Sequence, residues 1–378
     1  MRRAEEWVGI ASLGLVRSVE DLRPRRGLSV PVVTVLEPSG ALAEDDQRRL
    51  VRYVIQDGNG ADVIFAAGTT GEWDRVPAPL QRRVVRVSVE EVAKANTALG
   101  EHERVEVWAG ITAHEPRATL ENLEAALADG ADAAVLAPLS IRDLDDPVAF
   151  VAREVADLLD AAPRRIPVYL YDNADIAADP KRTHIRTKQV KALSRLDFVR
   201  GIKVTASRKV LGNYTRAAAG FRERGEFGIY VGNAPLIFDI FRPRSGLLGT
   251  ISEHWQRRRM RGGLPIGVVA GPANPLPREW ARAWQVCRAG DGERMARVRS
   301  VLDAYRAASK LSGKRSIACL KRALARLGVI ASDAVADGTP VLAPDEAAAF
   351  DAAFDEVTKL SRELLPASWV SRVSEEAP

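Results

Sequence analysis

A chain of 378 residues, 46% of them hydrophobic, is long enough for one large α/β barrel or two ordinary globular domains. The net charge of +5 comes from 55 basic against 50 acidic residues interleaved along amphipathic helices, and the one basic cluster that stands out, Arg257, Arg258, Arg259 and Arg261 around Met260, lacks interleaved aromatics and a nucleic-acid-binding motif, so it reads as a solvated or subunit-contacting loop. Two cysteines, Cys287 and Cys319, exclude a disulfide framework, and no run approaches the ~18–20 apolar residues of a membrane span or fits a signal peptide, so the expectation is a soluble, cytoplasmic protein with both thiols filling helix faces.

After an N-terminal arm over residues 1–28, strands and amphipathic helices alternate. Strands are expected at 29–36, 61–68, 104–111, 131–138, 167–171, 198–205, 228–232 and 266–271. Helices fall between them at 44–56, 79–99, 116–128, 147–159, 187–196 and 210–224, and 277–289 closes the set. The strands are short β-branched runs without strict alternation, the pattern of parallel strands buried on both faces. Eight βα units over residues 29–290 predict a (β/α)8 TIM barrel, whose usual size is ~250 residues; a doubly wound sheet is the alternative. A long segment at 241–265 interrupts the repeat before the last strand, and residues 291–378 form a C-terminal helical extension with pieces at 292–309, 315–327 and 345–364.

In such barrels the chemistry sits where strands end and βα loops begin. The second strand runs into Gly68-Thr69-Thr70-Gly71-Glu72, a tight turn whose N–H groups and hydroxyls suit a carboxylate or phosphate. The fifth ends in Tyr171, the sixth carries Lys203 near its end, and the eighth ends in Gly267-Val268-Val269-Ala270-Gly271. A lysine on a buried strand is penalised as an ammonium. Lowering its pKa from ~10.4 to ~7, worth roughly 4–5 kcal/mol, yields the neutral amine that attacks a ketone. Taken singly, Lys203 reads as a snorkelling strand-end lysine, Tyr171 as a core tyrosine and the turn as a common turn. Together on one rim they describe a site for a 2-keto acid: the turn holds the carboxylate, Lys203 attacks the ketone and Tyr171 moves protons.

The motifs GTTGE at 68–72, VYLYDN at 168–173, GIK at 201–203 and the glycine-bearing strand at 267–271, with KRALARLGV at 321–329, resemble the dihydrodipicolinate synthase/N-acetylneuraminate lyase family of Schiff-base (class I) aldolases over about residues 29–330. The resemblance implies a tetrameric or dimeric homo-oligomer that binds pyruvate or a larger 2-keto acid as an imine on Lys203. It implies Tyr171 as proton shuttle, Thr69 in the relay, Thr69 and Thr70 on the carboxylate, Gly68 and Thr205 beside them, and Val269 against the pyruvyl methyl group. An imine lysine needs neither metal nor organic cofactor, and His102, His114, His184 and His254 lack zinc-site spacing.

Three positions depart from the family pattern. The synthases' tyrosine pair after the fourth strand is replaced here by Leu139-Ser140, which leaves Ser140 or a water to complete the relay. Ile176 stands where the synthases place a substrate-binding arginine, and Gly232-Asn233-Ala234 stands where the lyases carry acidic residues. Asp172-Asn173 is closer to the sugar-acid and hydratase-aldolase branches, and Trp73 is expected to add an aromatic wall to the mouth. Arg242, Arg244, Trp255 or the 257–261 cluster either clamps an anionic or aromatic substrate or forms a subunit interface. The expected function is therefore a pyruvate-dependent lyase acting with an aldehyde partner. A hydratase-aldolase or sugar-acid dehydratase on the same imine is one alternative, and a non-catalytic keto-acid-binding homologue is another.

Overall fold

Eight short parallel strands close on themselves in strict sequence order, β1 through β8, with β8 pairing back onto β1. They are Gly27–Pro31, Val63–Ala66, Glu106–Gly110, Ala133–Leu136, Val168–Asn173, Val199–Thr205, Gly228–Val231 and Gly267–Val269. The computed structural model describes residues 22–242, 263–310 and 315–366. The (β/α)8 reading therefore holds, and the doubly wound alternative falls because the sheet has no free edge. No helix among the described residues is long and apolar enough to cross a membrane.

Strand ends shift from the sequence reading for identifiable reasons. β1 begins at Gly27, inside the stretch read as an arm, because Gly27 and Leu28 pair with Gly267 and Val268. It stops at Pro31, although Val32, Val33 and Val35 beyond it are fully buried. β5 runs two residues past Tyr171, because Asp172 and Asn173 keep pairing with Val204 and Thr205. The helix over 147–161 is continuous but carries a π-turn at Val151–Val155.

Strand side chains alternate between two apolar bodies. Leu28, Val30, Ile64, Val107, Leu170, Ile202, Ile229 and Val268 face outward and pack with the surrounding helices. Val63, Phe65, Trp108, Val135, Tyr169, Tyr171, Tyr230 and Val269 fill the interior. The lower interior is an aromatic plug: Trp108 stacks on Tyr169 at 4.2 Å, and Tyr230 meets both edge-on. Glycines on the adjoining strands make room for it, since a Cβ on Gly267 would lie 2.6 Å from the Tyr230 ring. Arg25 closes the floor, its backbone N–H donating to the Tyr169 hydroxyl and its carbonyl accepting from Tyr230 at 2.6 Å.

The helices Gly292–Lys310, Ser316–Arg326 and Pro344–Leu364 follow the barrel. The last two are tied by Arg322, which grips Asp351 with two hydrogen bonds of 2.8 and 3.0 Å, and the Pro344–Leu364 helix packs Phe350 and Phe354 around Tyr305. Cys287 and Cys319 are buried thiols on helix faces, not joined in a disulfide, and burial pushes the Cys287 thiol up to about 12.

Candidate active site

The upper interior is built from the ends of β2, β5, β6 and β8. Register sets Tyr171 opposite Lys203, so both side chains enter the barrel side by side. Lys203 is 5% exposed, with its Nζ 3.8 Å from the Tyr171 ring centroid and 4.8 Å from that of Phe65. Ring faces partly compensate a cation, but no carboxylate among the described residues is paired with it. Burial accordingly pushes the Lys203 pKa below the usual lysine value, against the opposing pull of Tyr171. An amine that loses its proton more readily is a competent nucleophile.

The Tyr171 hydroxyl lies 3.3 Å from Thr69 Oγ1, accepts from Asn173 Nδ2 at 3.0 Å and accepts from Thr205 Oγ1 at 3.5 Å. Burial alone raises the phenol's pKa. The positive charge of Lys203, then the hydrogen bonds from Thr205 and Thr69, outweigh it and bring the phenol below its ordinary value. The pair thus sets a phenol beside an amine, with hydroxyls at hand to pass a proton on.

Thr69 and Thr70 sit in a 3-10 turn, Thr69–Gly71, flanked by two non-glycine residues with left-handed backbone, Ala67 at φ +54° and Glu72 at φ +60°. Such conformations persist only where the surroundings over-determine them. Part of that restraint is close packing: a Cβ on Gly68 would stand 2.8 Å from the Phe65 ring, so only glycine brings the turn down onto the ring beside Lys203. The rest comes from the far end of the chain. Glu72, with no exposed surface, accepts from Lys321 Nζ at 2.6 Å and from the Ala336 N–H at 2.8 Å, and Lys321 also donates to the Ala334 carbonyl at 2.8 Å. The C-terminal extension thereby holds the turn that carries the two threonines.

The Dihydrodipicolinate synthetase family model matches residues 24–347. The chain belongs to this family. A 4-hydroxy-tetrahydrodipicolinate synthase of Methylibium petroleiphilum is 28% identical over 283 residues, 74% of this chain and 81% of that protein. Among solved structures, the dihydrodipicolinate synthase of Bacteroides thetaiotaomicron superposes with a TM-score of 0.70 at 20% identity, covering 88% of this chain and 99% of that one. YagE, a prophage protein of E. coli K12 solved in complex with pyruvate, gives 0.69 at 19% identity, covering 88% and 98%. Membership in the dihydrodipicolinate synthetase family makes this chain an enzyme of the class I aldolase/lyase type.

Of the residues singled out in the sequence, Lys203, Tyr171, Thr69 and Thr205 come together as described, and Val269 joins the same inner cluster. Thr70 lies beside Gly271, at the edge of the cleft above the barrel. Ser140 is buried in the turn Pro138–Ser140, and the Tyr171 hydroxyl is hydrogen-bonded to Thr69, Asn173 and Thr205. Trp73 is no wall of the mouth: it is buried against His114, ring centroids 5.0 Å apart, because the left-handed Glu72 turns the chain away from the barrel. Ile176 packs on the inner cluster, so an apolar residue occupies the position of the synthases' arginine. Arg244, Trp255 and the 257–261 cluster lie outside the described residues.

Three contributors were missed. Asn173 was hidden by ending β5 at Tyr171, although strand alternation would have placed it inward. Phe65 is two residues before Ala67 on the same inner row as Val63, and that periodicity was its only signal. The Glu72–Lys321 pair joins positions 249 apart, which no local pattern reveals.

Proposed function

We propose that the enzyme forms an imine between Lys203 and pyruvate or a related 2-keto acid, and makes or breaks a carbon–carbon bond beside it with an aldehyde partner. The observation that carries this is the Lys203–Tyr171 pair, buried side by side with the amine's pKa lowered and the phenol hydrogen-bonded to Thr69, Thr205 and Asn173. Neutral Lys203 attacks the ketone carbon. Tyr171 protonates the departing oxygen, water leaves, and a protonated imine remains. That cation draws electrons from the methyl carbon, which loses a proton to the Tyr171 phenolate and gives an enamine. The enamine carbon adds to the aldehyde, whose oxygen takes that proton from Tyr171, and hydrolysis of the imine returns Lys203 and product. The reverse sequence is cleavage.

The turn at Thr69–Thr70 holds the carboxylate, and Val269 lines the pocket beside the methyl group. No other cofactor is required by these steps. The working form is a soluble, cytoplasmic homo-oligomer, a tetramer or dimer. A hydratase-aldolase or sugar-acid dehydratase on the same imine is the second reading, favoured by the Asp172-Asn173 pair after the tyrosine, which resembles those branches.

Proton exchange at pyruvate tests the reading. In deuterated water the wild-type enzyme should wash deuterium into the pyruvate methyl group, and Lys203→Ala should not. A protein that binds pyruvate without exchanging those protons would be a keto-acid binder rather than a catalyst.

A further inference from the structure

Asn173 is the last residue of β5, only 8% exposed, and the two ends of its amide meet different partners. The Asp175 backbone N–H donates to Asn173 Oδ1 at 3.1 Å, and Asn173 Nδ2 donates to the Tyr171 hydroxyl at 3.0 Å. The first bond fixes the second. A backbone N–H only donates, so the end of the amide that faces Asp175 is the oxygen, and the end that faces Tyr171 is the NH2 group. The Tyr171 oxygen therefore has a donor that turns into an acceptor only by breaking the bond to Asp175.

The rest of the phenol's surroundings point the same way. Thr205 Oγ1 donates to that oxygen at 3.5 Å, and Thr69 Oγ1 lies 3.3 Å away. A phenol has one proton to give, and with donors on it from Asn173 and Thr205 that proton points to Thr69. Once the proton is gone, the Thr69 hydroxyl is free to turn and donate as well. Three donors, from the turn after β2 and from the ends of β5 and β6, then converge on a phenolate, and Lys203 brings its charge to 3.8 Å from the ring centroid. A donor bonds an ionised oxygen about twice as strongly as a neutral one, so this shell favours the anion.

We infer that Asn173 is a positioning residue that acts through Tyr171, its fixed amide stabilising the phenolate that takes the proton from the pyruvyl methyl carbon. The inference rests on the aldolase reading above and adds a residue to it. In that step the methyl carbon gives its proton to the phenolate oxygen. The C–H pair becomes the enamine double bond, and the iminium π pair moves onto the Lys203 nitrogen.

Asn173→Asp tests it, because it keeps the shape and the acceptor for the Asp175 N–H but puts an oxygen where the NH2 group stood. Neighbouring acidic oxygens do not both ionise readily, so the phenol should keep its proton. Burial drives the other five of the six tyrosines up, so the first tyrosinate absorbance in an alkaline titration belongs to Tyr171 and disappears in Tyr171→Phe. In Asn173→Asp its midpoint should rise by at least about one pH unit. Pyruvate methyl exchange at neutral pH should fall by at least about ten-fold in kcat, with KM for pyruvate little changed. If the variant does not fold by circular dichroism, Asn173→Leu, which removes the donor without adding charge, is read the same way. With exchange present in the wild type, an unmoved midpoint or an unmoved exchange rate in the folded variant would overturn this inference alone. Absence of wild-type exchange would overturn the aldolase reading, while the absorbance titration, which needs no pyruvate, would still decide whether the amide stabilises the phenolate.

Discussion

Tyr169 and Tyr171 stand two residues apart on β5, both inward and both buried, yet their hydroxyls live in opposite worlds. Tyr169 belongs to the aromatic plug, where it stacks on Trp108 and meets the Arg25 backbone, and burial drives its pKa far up. Tyr171 belongs to the upper half, where burial pushes the same way but the Lys203 charge and the hydrogen bonds from Thr205 and Thr69 overcome it. Burial is common to both. The neighbours across the register decide which tyrosine is chemically available.

Breaking each half separately sharpens the contrast. Lys203→Ala should cost at least about 10⁴-fold in turnover, since the nucleophile has no substitute. Tyr171→Phe should cost about 10²–10⁴-fold, the usual worth of a positioned acid–base group, seen in kcat under steady state. Lys321→Met leaves the Glu72 carboxylate buried and unpaired, and should destabilise by about 3–5 kcal/mol in denaturant titrations, with Glu72→Gln in the same chain recovering much of the loss.

A smaller effect has a defined sign. Burial lowers the folded-state pKa of Lys203, so the unfolded chain binds more protons between that value and the ordinary lysine value of ~10.4. Stability contributed by this group is fully present above the unfolded value and is lost as pH falls through the folded one. Lys203→Met should therefore be more stable than wild type at neutral pH, by a margin that shrinks as pH rises toward ~10.4, measured as urea midpoints across that range. Tyr169→Phe should leave turnover unchanged and cost about 1 kcal/mol, one net hydrogen bond.

The barrel was legible because its signals are local: β-branched runs and amphipathic helices recur every βα unit, and the helix Pro277–Ala289 has the bounds its pattern implies. Lys203, Tyr171 and Thr69 were legible because strand ends in a closed barrel share one rim, so chain order alone brings them together. What escaped depended on contacts rather than pattern. Asn173 required knowing how long β5 stays paired to β6, and Asp-Asn reads as a turn. Trp73 follows the active-site motif directly but is buried against His114, after a left-handed glutamate whose carboxylate is held by Lys321, 249 positions on. Ser140 has the right chemistry after the right strand, but the hydroxyls hydrogen-bonded to Tyr171 come from Thr69 and Thr205, on two other strand ends.

The measurement that bears most directly on the account is borohydride reduction in the presence of pyruvate, followed by peptide mapping. A pyruvate-dependent mass increase confined to the peptide bearing Lys203, and lost in Lys203→Ala, is the predicted result. A folded enzyme that gives no adduct with pyruvate or longer 2-keto acids, or gives it on another lysine, would contradict the imine at Lys203.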